Sequence, residues 1–131
     1  MDQRSNQAPG FRKHPGYKID IARHPKRITV TFKGEIVADS REALEINETG
    51  IPPVYYIPRE DVLMDLFERT ETETYCPFKG QATYWTLTIG DAVSTDAAWS
   101  YETPYDECQN LGGHLSFYGD RVDEVNTGLD P

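Results

Sequence analysis

The chain has 131 residues, enough for one domain, and at 37% hydrophobic its single core has to be economical. A formal net charge of −9 argues against sequence-independent binding to nucleic acid, where phosphate neutralisation supplies most of the affinity, and against docking on anionic lipid. No apolar run approaches the roughly 20 residues that span a bilayer, residues 1–16 carry no signal-peptide core, and two cysteines are too few for a disulfide framework, so the expected compartment is the reducing cytoplasm.

Residues 1–18 mix charge, Gln, Asn, Pro and Gly without periodicity and read as a flexible lead-in, with Phe11 and Tyr17 as its local anchors. Ordered pattern begins near Ile19, and residues 19–125 read as one β domain. Ile28-Thr29-Val30-Thr31-Phe32-Lys33 alternates apolar and polar residues, the pattern of a half-buried strand. Gly34-Glu35 fits a two-residue hairpin turn, with Ile36-Val37-Ala38-Asp39 as the return strand. Ala43-Leu44-Glu45-Ile46-Asn47-Glu48 alternates again, and Val54-Tyr55-Tyr56-Ile57 is a fourth short strand ended by Pro58.

Pro58-Arg59-Glu60-Asp61 opens a helical turn, since proline and acidic residues suit a first turn; Val62 and Leu66 share its apolar face. The Glu/Thr alternation of residues 68–74 reads as an exposed edge strand, where charge discourages unwanted pairing. Thr83-Tyr84-Trp85-Thr86-Leu87-Thr88-Ile89 and Ala97-Ala98-Trp99-Ser100-Tyr101-Glu102 are the next strands, with Trp85 and Trp99 facing inward. Residues 105–113 form a loop, Leu115-Ser116-Phe117-Tyr118 is the last clear strand, residues 121–125 add a short finishing element, and 126–131 read as a disordered tail. The tally is about eight short strands with one short helical turn and no βαβ unit: a mostly β domain, either a small β-barrel or a two-sheet sandwich.

Chemistry concentrates in Tyr75-Cys76-Pro77-Phe78-Lys79-Gly80. A nearby ammonium favours a thiolate, so Cys76 beside Lys79 is a candidate nucleophile or redox thiol; the alternative is a buried cysteine acting as a small hydrophobe. Lys79 is also a candidate for an anionic ligand group. By strand parity Glu48 falls on the apolar side with Leu44 and Ile46. A carboxylate there is costly unless paired, and Arg27, Lys79 or a tyrosine hydroxyl is the expected partner. Glu48 is then either an anchor or a general base, and His114 is a second, weaker candidate base. Tyr56, Trp99 and Tyr101 are candidate walls of a ligand pocket beside the 76–80 loop, together with Tyr84, because buried phenols need partners and so line pockets. Cys76, Cys108, His14, His24 and His114 show no metal-ligand spacing, so neither a metal nor a cofactor is expected.

Several phrases occur in a fixed order: Phe32-Lys33-Gly34-Glu35-Ile36-Val37-Ala38-Asp39-Ser40, Val54-Tyr55-Tyr56-Ile57-Pro58-Arg59-Glu60-Asp61-Val62, Cys76-Pro77-Phe78-Lys79-Gly80, Ala98-Trp99-Ser100-Tyr101-Glu102-Thr103-Pro104 and Gly113-His114-Leu115-Ser116-Phe117-Tyr118. Together they resemble the bacterial family catalogued as domain of unknown function 427, over roughly residues 24–125. Phe78 stands where that family frequently has tyrosine, and His114 where it frequently has a basic or small residue. The resemblance implies a compact, mostly β domain, and the family's label suggests a nucleotidyltransferase. The chain, however, has no Gly-rich phosphate loop and no closely spaced carboxylate pair at a strand end to hold Mg²⁺.

The expected function is binding of a small, anionic ligand in an aromatic-lined pocket, with Lys79, Glu48, Tyr56, Trp99, Tyr101 and Arg27 as its residues. The alternatives are an enzyme using Cys76, a nucleotidyltransferase-like activity, or an interaction module using the Glu/Thr edge or the N-terminal arm.

Overall fold

The computed structural model describes residues 6–130. These form ten strands in two antiparallel sheets, together with a five-residue helix α1 (Pro9–Lys13) and four short 3-10 segments. The strands are β1 (Ile19–Arg23), β2 (Arg27–Phe32), β3 (Glu35–Ser40), β4 (Leu44–Glu48), β5 (Ile51–Pro58), β6 (Phe67–Cys76), β7 (Gly80–Ile89), β8 (Ala92–Ser100), β9 (His114–Phe117) and β10 (Glu124–Leu129). The larger sheet has seven strands in the order β1-β4-β5-β9-β8-β7-β6, and the smaller has three, β10-β2-β3. β1 and β6 are free edges of the larger sheet, so it does not close into the barrel that was one of the two expected forms. No helix among the described residues is long and apolar enough to cross a membrane.

The β2–β3 hairpin turns at Lys33-Gly34, one residue before the expected position, because both residues have positive φ (50° and 78°), as a two-residue hairpin turn requires. Asp123 fixes the turn by accepting the Gly34 amide at 2.9 Å. The expected helical turn after Pro58 is instead two 3-10 segments, Arg59–Asp61 and Met64–Leu66. Between them Val62 bridges Ala38 of β3 and the Leu63 amide donates to Val37 O, so the backbone is drawn onto the smaller sheet before a helix can propagate. The Glu/Thr strand β6 lies at the sheet edge, as its charge pattern predicts.

Two apolar clusters flank the larger sheet. The first combines Ile28, Val30 and Val37 of the smaller sheet with Ile57, Leu87 and Leu115 of the larger one. The second holds Ile46, Tyr56, Tyr84, Tyr101, Cys108 and Leu111. Successive residues of one strand go to different clusters: Tyr55 packs against the first and Tyr56 belongs to the second. Trp85 and Trp99 accordingly lie on opposite faces, Trp85 across from Ala98 and Trp99 across from Tyr84. Both tryptophans do face apolar cores, but there are two cores where strand parity alone suggests one.

Both ends of the chain carry structure where the sequence shows no pattern. Residues 8–18 hold α1, and Ala8 is buried against the domain. Residues 124–129 pair with β2, and His24 holds that strand through a 2.6 Å hydrogen bond from Nε2 to Thr127 O. These segments are ordered by tertiary hydrogen bonds, which leave no periodicity to read. The part of the expected lead-in formed by residues 1–5 lies outside the described residues.

Candidate functional site

Cys76 and Gly80 are cross-strand partners at the end of β6 and the start of β7, so the loop between them is only Pro77-Phe78-Lys79. Gly80 has φ +118°, a conformation closed to other residues, and it lets β7 begin immediately. Every loop carbonyl has a partner. Pro77 O accepts the Gly10 amide at 2.9 Å, Phe78 O accepts the Cys108 thiol at 3.6 Å, and Lys79 O accepts the Tyr105 amide at 2.9 Å. The loop is thereby tied to both the N-terminal segment and the 105–108 segment.

This anchoring turns the Lys79 side chain inward. Its Nζ donates to Glu48 Oε2 at 2.5 Å, and the side chains of Lys79 and Glu48 are 8% and 5% exposed. Glu48 ends β4 on the apolar side, as strand parity predicts, and two of the three expected partner types meet it: Lys79, and a tyrosine hydroxyl. Tyr17 OH donates to Glu48 Oε1 at 2.6 Å. Burial, and then the Glu48 carboxylate, push the Tyr17 phenol well above its ordinary value.

The Tyr17 ring lies flat on Phe78, with centroids 4.1 Å apart and planes 15° from parallel. Phe11 meets the Phe78 ring edge-on at 5.0 Å. Gly10 lies so close that a Cβ there would be 2.7 Å from the Phe78 ring. Outside this stack is an open depression of about 580 Å³ lined by Lys13, His14, Pro15, Gly16, Tyr17, Thr49 and Phe78.

The other expected residues lie elsewhere or serve other roles. Arg27 grips Asp39 with two hydrogen bonds of 2.7 and 2.6 Å on the smaller sheet. Tyr56 is 2% exposed and accepts the Trp99 indole N–H at 3.2 Å; Tyr101 packs beside it in the second cluster. Burial pushes the phenols of Tyr56 and Tyr101 well up, so both stay neutral hydroxyls. These rings are part of the second cluster, against which Cys76 packs. His114 donates from Nδ1 to Gly112 O at 2.9 Å, within its own turn. Cys76 and Cys108 are free thiols; Cys76 is half-buried against the second cluster, and burial pushes the Cys108 thiol up to about 11. Among the described residues, no three His, Cys, Asp or Glu side chains are grouped as a metal site requires.

Sequence reasoning misses Lys13, His14 and Thr49 as site residues and treats Tyr17 only as a local anchor. The available signal is Tyr17 itself: an aromatic two residues before the first strand, with a buried carboxylate elsewhere in need of a donor.

A family described as Domain of unknown function (DUF427) matches residues 20–128. The chain belongs to this family. No curated protein matches it. The DUF427 match includes Glu48, Cys76, Phe78 and Lys79, whereas α1 and Tyr17 precede it.

Proposed function

We propose that this DUF427 domain binds a small ligand beside the 76–80 loop, in the depression walled by Tyr17 and Phe78. The observation that carries the reading is the buried Lys79–Glu48 pair, which lies directly behind that wall and fixes it through Tyr17. A buried ion pair is weak support for stability, because desolvation offsets most of the Coulombic gain. Its value here lies in orientation: it holds an aromatic surface rigid beside an open concavity, the arrangement that small-molecule sites use.

The charge for an anionic ligand group comes from Lys13 at the rim, with the His14 ring beside it. Lys79 already spends its charge on Glu48, so its role is to position the wall. Local positive charge on a chain of net −9 favours an anion there over the acidic surroundings.

A thermal-shift screen of metabolites tests this, since a ligand that binds only the folded chain raises its melting temperature by mass action. The expected result is a set of planar or anionic compounds that stabilise the full chain and lose that effect in Phe78→Ala. Hits that stabilise Phe78→Ala equally overturn the assignment of the site.

A further inference from the structure

Resting on that reading of the site, we propose that Tyr17 fills its inner half as the chain's own stand-in for a ligand. The cradle of Phe78, Glu48 and Lys79 takes a planar ring carrying an O–H or N–H donor at its edge, and the N-terminal strap of residues 8–18 swings aside to admit it.

Three features of the cradle are those of a ring-recognition site. Phe78 offers a flat face, used by Tyr17 at 4.1 Å and nearly parallel. Glu48 offers one free acceptor oxygen, since Lys79 takes Oε2 and leaves Oε1 for the incoming donor. Oε1 accepts a hydrogen bond from Tyr17, so the position suits a ring with a donor at its edge and rejects one with only acceptors there. The depression beyond the ring leaves room for substituents, next to Lys13 and His14.

The strap that delivers Tyr17 is built to move. Its backbone bonds to the domain lie at its two ends: the Ala8 amide to a Glu107 carboxylate oxygen and the Gly10 amide to Pro77 O, both at 2.9 Å, and at Lys18 the amide to Thr49 Oγ1 at 3.0 Å and the carbonyl accepting the Thr49 amide at 3.1 Å; among the described residues, 11–17 make none. Residues 12–16 are exposed, and nothing lies within 4 Å of the position a Gly16 side chain would take, so the chain just before Tyr17 has open space to move into. Ordering entropy opposes every strap residue, and the exposed residues 12–16 bury little to offset it. The family match begins at residue 20, so the cradle lies within it and the strap precedes it.

The test uses p-cresol, which reproduces the Tyr17 ring and hydroxyl, and toluene, which lacks the donor. Both are titrated by amide NMR into the full chain, Tyr17→Ala and Tyr17→Phe. In Tyr17→Ala, p-cresol is expected to shift the Glu48, Phe78 and Lys79 amides and to bind about tenfold or more tighter than toluene, the worth of a hydrogen bond to a charged group. In the full chain p-cresol is expected to bind at the same amides, about tenfold more weakly because Tyr17 competes, and to move the amides of residues 8–18 toward unstructured positions. A strap that is merely structural does not leave in this way. Tyr17→Phe keeps the stack and loses the latch, so its affinity for p-cresol is expected between the other two, and it decides the question if Tyr17→Ala does not fold.

Equal binding of p-cresol and toluene overturns the donor requirement. Equal binding of p-cresol to the full chain and Tyr17→Phe, or strap amides that stay in place at saturation, overturns the stand-in role. Metabolite hits that need Phe78 but are indifferent to Tyr17 would leave the binding reading intact and remove only this inference.

Discussion

Lys79 Nζ lies 2.5 Å from Glu48 Oε2, joining the loop after β6 to the end of β4 through two side chains almost wholly removed from water. Removing either partner strands the other as an uncompensated buried charge, a cost of about 3–5 kcal/mol. Lys79→Met keeps the length of the side chain and loses the charge, so it is expected to destabilise the domain by about that amount in urea unfolding. Lys79→Met combined with Glu48→Gln removes both charges and is expected to recover a large part of the loss. A single variant costing under about 1 kcal/mol would mean the pair is solvated in solution, like an exposed bridge.

Gly10 sits against the Phe78 ring, with a Cβ position 2.7 Å from the nearest ring carbons. Gly10→Ala forces the ring or the strap to shift, an overpacking cost of about 1–3 kcal/mol that the weakly held strap absorbs first. Hydrogen exchange is expected to accelerate at residues 8–18 while the central strands β7 and β8 keep their protection. Uniform acceleration across the domain would show that the strap is part of the global folding unit.

Much of this arrangement is legible before any coordinates. The strand pattern finds most of the sheet because period-two alternation reports burial directly, and it places Glu48 on an apolar side where a partner is required. It puts Lys79 beside the candidate loop and names it as one such partner. What it cannot carry is the second core: Tyr56, Tyr84 and Tyr101 read as candidate pocket walls because buried phenols need partners, and the sheet places them in a cluster of its own on the face away from the first. Nor does it find Tyr17, whose position comes from one hydrogen bond and one stacked ring in a stretch without periodicity. Arg27 is plausible for Glu48 by charge alone; sheet pairing gives it Asp39, which lies opposite Thr29, two residues along β2.

The two cysteines are expected to separate cleanly in alkylation. Cys108 is fully buried, its thiol donates to Phe78 O, and burial holds it neutral up to about pH 11. Iodoacetamide at neutral pH is expected to modify the half-buried Cys76 and leave Cys108 intact until the chain unfolds, as read by peptide mass spectrometry. The sign in alkali follows from the raised value: stability is full below the unfolded thiol's range and falls as pH rises toward about 11, since the unfolded chain gives up that proton first. Cys108→Ala removes this slope but opens a cavity, so the comparison rests on the shape of the pH profile. Equal labelling of both thiols in the folded chain contradicts the burial of Cys108.

Acid unfolding is expected to draw on carboxylates whose folded values lie below the ordinary range, three of them held by side chains. The Arg27 guanidinium lowers Asp39; Asn47 and then His24 lower Glu45. For Glu102, burial alone pushes the carboxyl up, but hydrogen bonds from Arg59, the nearer at 2.6 Å, and from Ser100 together outweigh it. Each contributes stability that is present above the unfolded carboxylate value of about 4 and is lost as pH falls through the folded value. The melting temperature is therefore expected to be flat from pH 7 to about 5 and to drop below about 4. Glu102→Gln keeps the shape of the side chain and cannot titrate, so its melting temperature starts lower at pH 7 and declines less steeply in acid. Parallel acid profiles for the two chains would mean that Arg59 and Ser100 do not hold Glu102 ionised in solution.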